Sequence, residues 1–168
     1  MASTADDEIR RQMVALMPRL RRFALMLTAS RADADDLVQA ALERAIHRLD
    51  SWQRGTALDR WLFKIAHNLH RNHHRDRATR LRLVQQHGET LEFAEDGARR
   101  AEAATELGEV RQRMRALPDE QRAVLTLIAI EGLSYQEVAE MLEVPIGTVT
   151  SRLARARDAL RAATTGPG

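Results

Sequence analysis

Cysteine is absent from the 168 residues, which excludes disulfide frameworks, thiolate metal sites, iron–sulfur clusters and cysteine nucleophiles by count. A reducing cytoplasm is the expected compartment. Aromatic residues make up only 4% of the chain, against 44% hydrophobic and 30% charged, so the composition is globular but the core must be mostly aliphatic. Small helical layers suit it. No apolar run approaches the roughly 20 residues of a membrane span, and the N-terminal MASTADDEIRRQ lacks the basic-then-apolar order of a secretion signal. No membrane insertion is expected. Lysine is nearly missing as well: Lys64 is the one lysine, and the remaining basic side chains are arginines.

The formal net charge is only +2, so the placement of charge says more than its sum. From Arg60 to Arg82 there are seven basic residues and one acid, Asp76; from Glu89 to Glu109 there are seven acids and two arginines, Arg99 and Arg100. This reversal points to a basic surface for a polyanion, beside an acidic connector that stays solvated or competes for that surface.

Strand signals are nearly absent and apolar residues recur at helical spacing, which predicts an all-α protein. A first helix is expected over about Asp7 to Thr28, bent or broken at Pro18, and a second over Ala32 to Leu49. The segment Asp50 to Thr56 reads as a loop, and a third helix follows from Ala57 to Arg75 or slightly beyond. Periodicity then fades. Residues 86–102 are assigned to an acidic linker, which divides the chain into an N-terminal helical domain, 1–85, and a C-terminal one, 103–168. In the second, Leu117-Pro118-Asp119 marks a new helix with proline in its first turn, Gly132 suits a C-terminal cap, and Ser134-Tyr135-Gln136-Glu137 has the form of a capping box. A last helix runs from Pro145 to about Ala163.

On a helical wheel the third helix gathers Leu58, Trp61, Leu62, Ile65 and Leu69 on one side and Arg60, Lys64, His67, Arg71 and His74 on the other. No acid interrupts this second stripe before Arg75, whereas solvated faces usually mix signs, so contact with nucleic-acid phosphates or bases is the favoured reading. Asn68 lies between stripe residues. Phe63 beside the stripe and Trp52 in the preceding loop would offer flat rings to unstacked bases, although Trp61 reads as core. His67, His70, His73 and His74 invite a metal reading by spacing, but no carboxylate accompanies them before Asp76 and their arginine neighbours repel a divalent cation. No metal or other cofactor is expected.

The last two helices have the form of a helix-turn-helix, with Ile146, Val149, Leu153, Ala156 and Leu160 facing inward. The exposed start of the final helix carries Gly147, Thr148, Thr150, Ser151, Arg152 and Arg155, small polar groups and arginine forks suited to reading base edges. On the second helix, Asp36, Gln39 and Glu43 share an exposed side, where protein contact competes with plain solvation. No GxSxG sequence, phosphate-binding glycine loop or catalytic pairing of acids occurs. An enzyme is not expected.

DDLVQAALERA at Asp35–Ala45, GTALDRWLFKIAHNLHRNHHR at Gly55–Arg75, and ALPDEQRAVLTLIAIEGLSYQEVAEMLEVPIGTVTSRLARARDAL at Ala116–Leu160 together resemble a bacterial extracytoplasmic-function sigma factor. The resemblance implies a non-catalytic subunit that binds core RNA polymerase and directs it to promoter DNA. It implies a polymerase contact through Asp36, Gln39, Leu42, Glu43 and Arg44, and minus-ten recognition and melting through Trp52, Arg60, Phe63, Lys64, His67, Asn68, Arg71, His74 and Arg75. It further implies minus-thirty-five recognition through Thr148, Thr150, Ser151, Arg152 and Arg155, with an anti-sigma protein as a common partner. The chain departs from the family at Ala40-Ala41-Leu42, where Glu-Thr-Phe is frequent, and at Thr150, where lysine or arginine is frequent. Two other readings compete: a sigma-like decoy that titrates an anti-sigma factor, which should have lost its basic faces, and a stand-alone helix-turn-helix regulator.

Overall fold

The computed structural model describes residues 4–87 and 106–164, and among these it contains helices and turns but no strand. Helix α1, Thr4–Leu27, buries Ile9, Met13, Leu20, Phe23, Ala24 and Leu27 at the expected spacing. It runs unbroken through Pro18. The carbonyl that loses its partner there belongs to the exposed Val14, so water can satisfy it and no break is required.

Helix α2, Arg31–His47, starts where the Ser30 hydroxyl accepts from the Asp33 amide at 3.0 Å. A 3₁₀ turn at Leu49–Ser51 leads into the loop, where Gly55 takes a positive φ of 90°. Helix α3, Leu58–His87, is 30 residues long and passes well beyond Arg75, because no proline or glycine interrupts the chain before Gly88. The first residues of the expected linker, Gln86 and His87, are therefore helical; the rest of that linker lies outside the described residues.

The second module comprises α4, Glu106–Arg115; α5, Asp119–Leu125; α6, Tyr135–Leu142; and α7, Ile146–Thr164. Pro118 stands just before α5 as its cap, one position earlier than expected. Helix α5 widens into a π turn over Thr126–Ile130, where the Glu131 amide reaches back to the Thr126 carbonyl at 3.0 Å. Gly132, φ 75°, then ends the segment. The capping box forms as read, Ser134 and Glu137 each holding the other's backbone amide. Glu143 closes α6 in the left-handed region, φ 56°, a position that glycine commonly takes. Val149, Leu153 and Ala156 of α7 are buried, but Ile146 is exposed, so the inward face begins one turn later than the pattern implied.

The two modules are packed together. Their buried side chains form one apolar cluster from Ile9 to Ala156, with α1 against α4 and α5 and α3 against α6. Arg111 of α4 is buried and donates through Nε to the Leu25 carbonyl at 3.0 Å.

Candidate nucleic-acid and protein interfaces

The basic side of α3 divides into covered and open parts. Arg60 lies 3.7 Å from a carboxylate oxygen of Glu137, and Lys64 donates to Glu143 at 3.1 Å; Glu137 belongs to α6 of the other module and Glu143 caps its C-terminal end. Asn68, Arg71 and Arg75 are exposed, and neither arginine has an ion pair among the described residues. Phe63 is not on this surface. It is 1% exposed and meets Phe23 edge to face at 5.2 Å, because it falls on the apolar side that α3 presses against α1. Trp52 is half-buried and leans on Trp61 with ring centres 6.3 Å apart, so at most part of one flat ring is offered to bases.

The histidines separate by burial. His67 and His70 are buried; burial, with help from His70 and Arg71, lowers His67 to about 4, and burial with Arg122 lowers His70 to about 4. Both are neutral at neutral pH, and His67 is enclosed rather than aimed outward. His74 is half-exposed, its basicity lowered by burial and by His70 and Arg122. His70 Nε2 and His74 Nδ1 lie 3.7 and 3.3 Å from the carboxylate of Asp119, at the start of α5. The spacing would admit a metal ion, but the Arg122 guanidinium already sits on Asp119, and Arg77 and Arg115 line the same cleft of about 570 Å³. That electrostatic setting disfavours a divalent cation.

On α7, Ser151 and Arg155 are exposed at one side of the helix start, with Thr148 partly covered. The Thr150 and Ser151 hydroxyls donate to the Ile146 and Thr148 carbonyls at 3.0 and 3.1 Å. Arg152 is folded down onto Glu120 of α5, whereas Arg155 has no ion pair among the described residues. On α2, Asp36, Gln39, Glu43 and Arg44 are exposed and Leu42 is half-buried, with Gln39 donating to Glu43 at 3.1 Å.

The family model for sigma-70 region 4 matches residues 107–160, and that for the sigma2 domain of PhyR matches residues 13–67. The ECF RNA polymerase sigma factor EcfG of Rhodopseudomonas palustris is 37% identical over 93% of this chain and 84% of its own length. The chain belongs to the extracytoplasmic-function sigma factors. The ECF sigma-E factor of Escherichia coli is 33% identical over 76% of the chain and 72% of its own length. Among solved structures, the sigma factor RpoE in complex with the anti-sigma factor NepR from Bartonella quintana superposes with a TM-score of 0.77 at 30% identity, covering 95% of this chain and 99% of that one. CnrH in complex with the cytosolic domain of CnrY gives a TM-score of 0.68 at 26% identity, covering 95% and 91%.

Membership makes the chain a non-catalytic transcription factor of two helical modules, regions 2 and 4 of the sigma factor. Among the described residues no helix is long and apolar enough to cross a membrane. What the sequence pattern missed is the bond between the two regions. Glu131, its side chain wholly buried, accepts from Arg22 Nε at 2.9 Å and from Arg19 Nε at 3.1 Å, while Arg19 also donates to Asp59 at 2.9 Å. Burial opposes the charge on Arg19, and the bonds to Asp59 and Glu131 more than offset it, raising its pKa. The spacing of Arg19 and Arg22 on one helix side was visible; that a lone glutamate would close on them was not.

Proposed function

We propose that this sigma factor binds core RNA polymerase through Asp36, Gln39, Leu42, Glu43 and Arg44 of α2, opens the minus-ten element with the loop after α2 and the basic side of α3, and reads the minus-thirty-five element with α7. Residues 1–85 act as the melting domain, 103–168 as the upstream reader, and 86–102 as the acidic connection between them. Arg60, Lys64, Arg71, Arg75 and His74 supply phosphate and base contacts, Asn68 adds an amide, and half-covered Trp52 an apolar ring edge. Unstacking a base step costs a few kcal/mol, which capture of the extruded base offsets. Arg155 leads the upstream contact, with Thr148, Thr150 and Ser151 beside it and Arg152 joining once it leaves Glu120.

The observation that carries this reading is the pair of exposed arginine surfaces, Arg71 with Arg75 on one region and Arg155 on the other, in the order the family uses. A decoy has no need of either. An anti-sigma protein is a further partner, supported by RpoE of Bartonella quintana, whose solved structure contains the anti-sigma factor NepR. Run-off transcription with purified core polymerase over a genomic promoter library tests the proposal. Start-site selection that depends on this chain is the expected result, and association without selection would overturn it.

A further inference from the structure

The cleft beside His70 and His74 has a volume of about 570 Å³, within the range of small-molecule sites. Arg77 of α3, Arg115 of α4 and Arg122 of α5 all line it. Arg122 sits on Asp119, whereas Arg115 has no ion pair among the described residues. His70 and Arg122 are 6% and 7% exposed, yet His70 Nε2 and the Nε–H groups of Arg115 and Arg122 have no hydrogen-bond partner. Buried polar groups are normally satisfied, so this side of the cleft is short of acceptors. The two arginines also oppose each other: burial first, and Arg115 second, lower the basicity of Arg122. An anion seated on these guanidiniums supplies the missing negative charge, and phosphate suits them because its oxygens match the planar fork of arginine.

The α2 side of the cleft has the opposite sign, with Asp33 and Asp36 in its lining. The Ser30 hydroxyl donates to Asp33 at 2.8 Å, but Asp36 is exposed and has no ion pair among the described residues. A bare inorganic anion would meet these carboxylates as repulsion. A ligand with an anionic tail and a donor-bearing head meets both sides. Among the common bases, guanine presents a ring N–H and an amino group side by side, a match for the two oxygens of one carboxylate, whereas adenine and cytosine set a ring acceptor beside the amino group. Leu27, Leu37 and Leu69 add apolar surface for the base and ribose. We infer that the cleft binds a guanine nucleoside polyphosphate, its phosphates on Arg77, Arg115 and Arg122 and the donor edge of its base on Asp36. Arg71, Arg75 and Arg155, the arginines proposed for promoter contact, lie outside the lining of this cleft, so the inference goes beyond that reading.

Isothermal titration calorimetry of the full chain at fixed salt, with GTP, ATP and inorganic tripolyphosphate as separate titrants, tests the site. One saturable site for GTP is expected, at least about tenfold tighter than for ATP or tripolyphosphate. Arg115→Ala should weaken GTP and tripolyphosphate alike by about tenfold or more. Asp36→Asn should remove the preference for GTP over ATP without weakening tripolyphosphate. Neither side chain has an ion pair to lose, and circular dichroism melts check that both variants fold. Arg71→Ala, on the basic stripe of α3 but outside the cleft, should leave GTP binding unchanged. If it weakens GTP as much as Arg115→Ala does, the phosphates belong on the stripe and the site is overturned. Tripolyphosphate binding as tight as GTP and indifferent to Asp36→Asn would overturn the nucleotide, and no saturable binding of any titrant would overturn the inference as a whole.

Discussion

Arg22 donates through Nε to Oε1 of Glu131 over 2.9 Å, and it does so across the boundary between regions 2 and 4. Arg19 shares the same carboxylate. Removing one arginine leaves Glu131 paired, whereas removing both strands a buried charge, so the two losses should not add. Arg19→Ala with Arg22→Ala should destabilise the chain by about 1–3 kcal/mol more than the sum of the single changes. Urea unfolding of the four proteins of this cycle checks it, and simple additivity would contradict shared ownership of the carboxylate.

Arg155→Ala should cost about 1–3 kcal/mol of discrimination at the upstream element while leaving association with core polymerase unchanged. Footprinting beside a pull-down separates the two quantities. Equal loss of both would remove Arg155 from the base-reading role.

Arg71→Ala is expected to slow promoter opening and leave upstream contact intact, since its side chain is exposed on α3 and far from α7 in sequence. Permanganate reactivity of unpaired thymines reads this directly, and an undiminished signal counts against the stripe.

Acid should weaken the fold through the buried imidazoles. Burial first, and neighbouring positive charge second, hold His67 and His70 at about 4 in the folded chain, below the ordinary value of about 6.5. Between those values the unfolded chain binds protons that the folded chain does not. Stability is therefore fully present above about pH 6.5 and declines toward pH 4, by at most about 1.4 kcal/mol per pH unit for each histidine. Thermal melts from pH 7.5 to 5 should show the fall, and His70→Gln should flatten it. A slope that ignores the substitution would sink this assignment.

Glu143→Gly should raise the melting temperature despite losing the Lys64 pair. The left-handed backbone at Glu143 costs a side chain about 1 kcal/mol, while the ion pair, with the Glu143 side chain 75% exposed, contributes less. Differential scanning calorimetry decides, and a lower melting temperature would show that the pair outweighs the strain.

Local signals were the legible ones. The capping box at Ser134, the glycine cap at Gly132 and the apolar spacing of α1 and α7 are short-range patterns whose physics lies within a few residues, and the structure has them. Pro18 and the length of α3 escaped because a break depends on whether the freed carbonyl is buried and on where the next breaker stands. The site was legible only in outline. Arg71, Arg75 and Arg155 stand exposed as the charge pattern implied, but Phe63 and His67 are enclosed, because the apolar stripe of α3 is wider than a wheel of single residues conveys. Arg60, Lys64 and Arg152 meet acids from elsewhere in the chain. The first two pairings depend on how the modules dock and the third on how α7 packs against α5, for which neither periodicity nor composition holds information.

The π turn at Thr126–Ile130 has an effect on helical phase. One added residue advances everything after it by about 100° around the axis, and Glu131 is the first side chain to inherit that rotation. In a sigma factor with an ordinary turn at this point, the same glutamate would be indexed to a different direction and Arg19 and Arg22 would face another residue. A single widened turn in a helix thus sets which side chain of region 4 meets Arg19 and Arg22 of region 2.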